Sequence, residues 1–303
     1  MTERGSLMDK LKRMQERNVG GKEKEAEPSA SAAEPVQQLA QVIRLPLWGE
    51  AMRGVPNGLL RSALFGAIAK GKRRFMKDEQ IAAVEGVEIS YTGERLDQGD
   101  LDVWESVLHL ARSQSLGDEC RVTSYALLKL MGKTDSGKNR ATLRTRIIRL
   151  RANAVTIKQG RYSYIGGLVD EAYKDEETQV WVIVLNPKLH ALYATDQFTQ
   201  VDWSVRQALD GKPLAQWLHS FYASHAKPYP MRIETLLQLS GSENSELRSS
   251  RQKLRKALDA VIDACEALGQ PFSYAVQGDL VHVERVPSGS QQKHLARPRK
   301  PRI

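Results

Sequence analysis

Between Ser136 and Val169 the chain carries Lys138, Arg140, Arg144, Arg146, Arg149, Arg151, Lys158 and Arg161 without one Asp or Glu. Such groups bind phosphate, Arg through a bidentate fork and Lys as a point charge. A merely solvated helix interleaves both signs, so an acid-free run across a helix and the next strand favours an anionic surface. At helical spacing Leu143, Ile147 and Leu150 fall on one stripe. Lys138, Thr142, Thr145 and Arg149 lie opposite, flanked by Arg144 and Arg146. A helix laid in a DNA groove needs that division, an apolar seam behind and short polar plus long cationic side chains in front.

A second long helix repeats the pattern. Leu247, Leu254, Leu258, Val261 and Cys265 form its apolar stripe, and Ser249, Gln252, Lys253 and Lys256 lie on the far side, flanked by Arg248 and Arg255. Asp259, Asp263 and Glu266 occupy its second half, so the N-terminal half is the part expected in the groove. A solvated face is the lesser reading of either helix alone; two at matching positions favour DNA contact further. Lys158 and Arg161, near the turn of the first expected hairpin, complete the candidate set as phosphate contacts, while Tyr162 and Tyr164 there are better read as packing.

The elements that position these helices follow one order twice. In the first copy a strand, Val87 to Gly93, precedes a helix through Leu101, Trp104, Val107, Leu108 and Ala111. A short helix from Thr123 to Met131 and the helix from Ser136 to about Ala152 follow. A hairpin of Ala154 to Gln159 with Thr178 to Asn186 closes the copy. The second copy has helices at Leu214 to Ala223, Arg232 to Leu239 and Asn244 to Leu268, then a hairpin of Phe272 to Gln277 and Leu280 to Val286 through Gly278-Asp279. Three helices and a hairpin is the winged-helix order. The expected fold is α+β, mainly helical: a disordered tail (1–40), a linker or arm packing on the first domain (41–86), two tandem winged-helix domains (87–200 and 201–286) and a basic disordered tail (287–303).

Length and composition agree. At about 150 residues per domain, 303 residues make about two domains. Lys plus Arg number 45 against 36 Asp plus Glu, a net charge of +9 that favours polyanionic partners. Cys120 and Cys265 are too few for a zinc site or a disulfide framework and read as small buried hydrophobes in a reducing cytoplasm. The N-terminal MTERGSLMDK lacks the apolar region of a secretion signal, and no run is long enough to span a membrane. A soluble, intracellular protein is expected.

Catalytic constellations are absent. Gly66 to Lys72 (GAIAKGK) matches most of a phosphate-binding loop, but Arg73 stands where a hydroxyl must ligate magnesium, and no buried strand run precedes it. The histidines are scattered, and the Asp97, Asp100, Asp102 and Glu105 cluster reads as an acidic helix start that the macrodipole favours. No enzyme, metal or cofactor is expected.

Three strings are more specific: WGEAMRGVPNGLLRSALF (Trp48 to Phe65), ISYTGERLDQGDLDVWESVLHLAR (Ile89 to Arg112) and FYASHAKPYPMRIETLLQLSGS (Phe221 to Ser242). In them the chain resembles the TrfA family of plasmid replication initiators, over about Trp48 to Glu284. The resemblance implies binding to direct repeats (iterons) at a plasmid origin, opening of adjacent A·T-rich DNA, and recruitment of the host initiator DnaA, the replicative helicase and the sliding clamp. It also implies self-association between monomer and dimer, and a location in the bacterial cytoplasm. The clamp is the weakest of these partners. Gln38 to Trp48 (QLAQVIRLPLW) keeps Gln38 and Leu39 but lacks a Leu-Phe plug, and Val42, Ile43, Leu45 and Leu47 read equally as docking on the first domain. The competing reading is a winged-helix repressor on a palindromic operator.

Overall fold

The computed structural model describes residues 44–68, 73–194, 196–242 and 247–296. The chain opens with β1 (Met52–Pro56), α1 (Asn57–Leu60), β2 (Phe65–Gly66), β3 (Phe75–Gln80), β4 (Val87–Glu94) and β5 (Leu96–Asp97). Next come α2 (Gln98–Ala111), β6 (Glu119–Thr123), α3 (Ser124–Leu130), α4 (Gly137–Arg151), β7 (Ala154–Gln159), β8 (Tyr162–Gly166), β9 (Glu171–Lys174) and β10 (Val180–Val184). A 3-10 turn (Pro187–Tyr193) leads to β11 (Phe198–Asp202), α5 (Trp203–Ala208), α6 (Pro213–Ala223), β12 (Met231–Arg232) and α7 (Ile233–Leu239). The last elements are α8 (Leu247–Glu266), β13 (Phe272–Gln277), β14 (Leu280–Arg285) and α9 (Gly289–Ala296). The architecture is mixed α/β.

Local chemistry sets the helix starts. Asp97 and Asp100 form a reciprocal capping box at α2, each carboxylate accepting the other's backbone N–H at 2.9 Å. Thr123 caps α3 through the Ala126 N–H, and Ser136 caps α4 through the Asn139 N–H.

The repeated element order appears as a repeated topology. In the first module α2, β6, α3, α4, β9 and β10 build a helical layer against an antiparallel sheet of order β6-β10-β9. In the second, α6, β12, α7, α8, β13 and β14 do the same, with order β12-β14-β13. Each time the last strand lies between the other two. Leu143, Ile147 and Leu150 of α4 and Leu254, Leu258, Val261 and Cys265 of α8 are buried, as their spacing requires.

The first hairpin differs from its expectation. Ala154 to Gln159 does not pair with the 178–186 stretch; β7 pairs with β8 and β4 in a sheet of order β3-β4-β7-β8, and β10 pairs with β6 and β9. Val155 and Ile157 bury one face of β7 on that sheet. Gly160, at φ +60°, closes the two-residue turn that sets the Gln159–Tyr162 register. The strand pair β7–β8 is thus an insertion between α4 and the hairpin of its own module.

Two further expectations change. The expected linker or arm contributes β1, which pairs with β11, and β3, which edges the four-stranded sheet. It also reaches the second module, where Trp217 Nε1 donates to the Ser62 carbonyl at 3.0 Å and Ala67 N–H to the Ser240 carbonyl at 2.7 Å. Part of the basic tail is helical: in α9, Gln291 Nε2 donates to the Ala223 carbonyl at 2.8 Å. The expected disordered tail of residues 1–40 and the basic end from 297 lie outside the described residues, as do Val42 and Ile43. Leu45 is buried, but Leu47 is 76% exposed and does not dock. Both cysteines are buried and free, and burial pushes each thiol up to about 11.

Candidate nucleic-acid interface

On α4 the outward face holds Lys138, Thr142, Arg144, Thr145, Ile148 and Arg151. Thr142 and Thr145 donate their hydroxyls to the carbonyls of Lys138 and Ala141, leaving oxygen lone pairs outward as acceptors. Lys138 and Arg144 are exposed.

Arg146 and Arg149 are placed differently from the expectation. Arg149, only 8% exposed, donates to Asp100 at 2.7 Å and pairs with Glu94 at 3.1 Å. Arg146 bridges Asp97 at 2.5 Å and Asp100 at 2.9 Å, and Arg73 reaches the same two carboxylates. Burial pushes Asp97 up, but Arg146 and Arg73 outweigh it and its carboxyl lies at about 2; burial and the Asp97 charge raise its neighbour Asp100. These two arginines therefore clamp α4 onto the start of α2. A guanidinium between two carboxylates has little field left for a phosphate, so the geometry favours a positioning role for both over DNA contact.

The counter-charges of the acid-free run come from outside it, Asp135 from just before and the others from distant sequence. Arg140 forks onto Asp135 at 2.6 Å, and Lys158 pairs with Glu88 at 3.0 Å. Lys158 and exposed Arg161 lie on the β7–β8 hairpin, not on the hairpin completing the first module. The turn that occupies that place, between β9 and β10, holds Asp175, Glu176 and Glu177, all exposed. Its charge is wrong for a phosphate contact.

The second helix keeps its expected face. Arg248, Gln252, Lys253, Arg255 and Lys256 are exposed, and Ser249 is half-buried. Arg251, outside the expected set, is exposed and pairs with Asp279 in the β13–β14 turn at 2.9 Å, tying that turn to the helix. Because only every third or fourth residue of α8 faces the core, the remaining positions from 248 to 256 present a cationic surface with no acid among them.

Residues of the three specific strings make buried contacts within the first module and across to the second. Trp48 Nε1 donates to His109 Nδ1 at 3.1 Å, and buried Arg53 lies 4.4 Å from the Trp203 ring centroid. Arg61 donates to Ser224 Oγ at 2.9 Å. Arg206, fully buried, donates Nε to Asp102 at 2.7 Å, Nη1 to Gln98 Oε1 and Ser220 Oγ, and Nη2 to the Gln98 carbonyl. The acidic start of α2 is thus more than a response to the macrodipole: Asp97 and Asp100 hold α4, while Asp102 and Glu105 hold α5.

Residues 17–285 match the family described as TrfA protein. The chain belongs to the TrfA family. It is 26% identical over 300 residues to the plasmid replication initiator protein TrfA of Escherichia coli, covering 93% of this chain and 75% of that protein. It is 29% identical over 194 residues to RepFIB replication protein A of Escherichia coli, covering 58% of this chain and 59% of that protein. Among solved structures, domains 2 and 3 of RctB align at a TM-score of 0.49 and 14% identity, over 75% of this chain and 97% of that one. No helix among the described residues is long and apolar enough to cross a membrane.

Proposed function

We propose that this member of the TrfA family is a plasmid replication initiator that binds duplex DNA through two winged-helix modules. In this reading α8, and with fewer contacts α4, enter successive major grooves. The observation that carries the reading is the repeated topology, which sets an outward cationic helix at the same position of each module. Lys138, Thr142, Arg144 and Thr145 from α4, and Arg248, Ser249, Gln252, Lys253, Arg255 and Lys256 from α8, are the proposed contacts. Gln252 is the side chain suited to an adenine edge.

Two different modules on one chain would read an asymmetric site, so the repeats bound would be direct repeats at the plasmid origin. Opening of adjacent A·T-rich DNA would draw on deformation energy from several bound copies, with no catalysis by the protein. Recruitment of DnaA and the replicative helicase, and monomer–dimer self-association, complete the proposed role in the bacterial cytoplasm. DNase footprinting on the plasmid's own origin and on the promoter of its own gene tests it. Protection of phased direct repeats beside permanganate-reactive thymines is expected; a lone palindromic footprint at the promoter, without strand opening, would replace this reading by the repressor.

A further inference from the structure

A cavity of about 990 Å³ opens between the two modules. Ile68, Leu214, Leu237 and Ala257 give it apolar lining; Arg73, Arg74 and Arg95 line it from the first module, and Lys212, Lys253 and Lys256 from the second. Asp259 and Asp263 are the acids among its described lining residues. Arg73 is held by Asp97 and Asp100, Arg74 by Glu79 and Arg95 by the Gly241 carbonyl, so the positive charge that faces the apolar interior comes chiefly from Lys212, Lys253 and Lys256.

Two independent observations point to an anionic ligand. The first turn of α6, Lys212 to Ala215, lines the cavity, and this 11-residue helix begins with neither a side-chain cap nor an acidic residue in its first turn. Pro213 opens the helix without an N–H, and the Lys212 and Gln216 amides are bonded, so the orphan N–H groups are those of Leu214 and Ala215; with the positive end of the dipole they favour negative charge. On another helix, Ser250 is 1% exposed and lines the same cavity, yet its hydroxyl has no hydrogen-bond partner among the described residues. Buried hydroxyls are normally bonded, so this one has a donor and acceptor to offer. The side-chain ammonium groups of Lys212, Lys253 and Lys256 likewise have no hydrogen bond or ion pair among the described residues, although the Lys212 backbone is bonded to Leu209 and Gln216.

We propose that this cavity binds a mononucleotide, with its phosphate at the α6 amides and Lys212 and its base over Leu214, Leu237 and Ala257. The volume lies at the upper end of small-ligand sites, about 300–1,000 Å³, and the apolar interior gives a base a place that inorganic phosphate would leave empty. The Gly66 to Lys72 string borders the cavity through Ala67, but Arg73 follows it in place of a magnesium-binding hydroxyl. The nucleotide is accordingly a ligand and not a substrate. Since both modules contribute walls, an occupied cavity ties α8 to the segment around Arg95, and so sets how the two modules are held. The proposal does not depend on the DNA-binding reading.

The test is calorimetric titration of the full-length protein with ADP, adenosine and inorganic phosphate in turn. ADP is expected to saturate one site per chain, with adenosine and phosphate each weaker. Lys212→Glu should weaken ADP by roughly ten-fold or more, the loss of one charge-assisted contact, and leave the footprint on duplex DNA unchanged. Leu214→Trp should fill the interior and abolish binding. If it also lowers the thermal midpoint, Lys212→Glu, a change at an exposed position, decides the matter. Absence of saturable ADP binding at millimolar concentration, or unchanged ADP affinity in Lys212→Glu, overturns the proposal. Displacement of bound ADP by cognate duplex overturns it too, because the cations would then serve the DNA backbone.

Discussion

Replacing Arg149 by Ala separates a positioning role from a DNA contact. The Asp100 side chain is fully buried and accepts from Arg149 at 2.7 Å, Arg146 at 2.9 Å, Arg73 at 3.3 Å and the Asp97 N–H at 2.9 Å. Removing one partner of an isolated buried ion pair costs about 3–5 kcal/mol. Here two guanidiniums and an amide remain on Asp100, so the expected loss is smaller, about 2 kcal/mol of folding stability. For a chain of this size that is a fall of roughly 3–4 °C in thermal midpoint. Arg144→Ala, at an exposed position of the same helix, should cost under about 0.5 kcal/mol of stability. Urea unfolding and DNA affinity, measured on both variants, give a crossed result: Arg149→Ala loses stability first, and Arg144→Ala loses affinity at wild-type stability. An Arg149→Ala protein with wild-type unfolding and lost DNA affinity would refute the assignment and return Arg149 to the interface.

Gln252→Ala should weaken binding to the cognate repeat by about 1–3 kcal/mol and leave random duplex nearly unaffected, whereas Arg248→Ala should weaken both equally, as competition gel shifts would show. Leu254→Ala, at a position 1% exposed on the α8 stripe, should cost about 2–5 kcal/mol in urea unfolding. A β-carbon at Gly99 would sit on the Arg146 guanidinium, so Gly99→Ala should displace Arg146 from Asp97 and lower the thermal midpoint. Acid should destabilise the protein below neutrality. Burial, reinforced by Arg206 and Arg285, holds His219 down to about 3; burial and Arg61 hold His225 down to about 4. The unfolded chain takes up these protons first, so stability is full above pH 6.5 and falls toward pH 4, by about 3 kcal/mol for His225 alone. Burial raises Glu105 to about 7 and Asp100 as well, and both work in the opposite direction; His219, His225 and His109, which burial also holds down, outweigh them. Denaturant titrations at pH 7 and pH 5 should show the drop, and His225→Gln should reduce it.

Periodicity made the cores of α4 and α8 readable, because Leu143, Ile147 and Leu150, like Leu254, Leu258 and Val261, repeat at a spacing only a helix brings onto one face. It also gave the second hairpin, since Gly278-Asp279 between two alternating runs is a strong local turn signal. The partner of the first hairpin strand is not legible because pairing is not local. Val180–Val184 alternates no differently whether it meets β7 or β6, and only the closed turn at Gly160 makes β8 the partner of β7. A strand at Tyr162–Gly166, just past that glycine, was the available signal. The acid-free run misled for a related reason: charge balance holds in space, and the carboxylates that neutralise Arg146 and Arg149 lie about fifty positions upstream at the α2 start. Their Asp-x-x-Asp spacing showed a helix cap but not which arginines it would gather.

The buried contacts between the modules bear on how DNA would be read. Arg206 sits on α5, directs its donors to Gln98 and Asp102 of α2 and Ser220 of α6, and has burial opposed chiefly by the charges of Asp102 and Glu105. Arg61 and Trp217 add hydrogen bonds from one module to the other at separate points. Two rigid bodies joined at several buried points cannot shift independently without leaving polar groups unpaired, at about 1–3 kcal/mol each. Under the proposed function α4 and α8 would then meet DNA at one fixed separation. A repeat with its two halves moved apart by a few base pairs should lose most of its affinity, as half-site spacing does in any rigid pair of groove helices. Gel-shift titration of repeats carrying such insertions checks this. Unchanged affinity across the series would mean that one module alone holds the DNA, and the acidic β9–β10 turn identifies the first module as the one that would be dispensable.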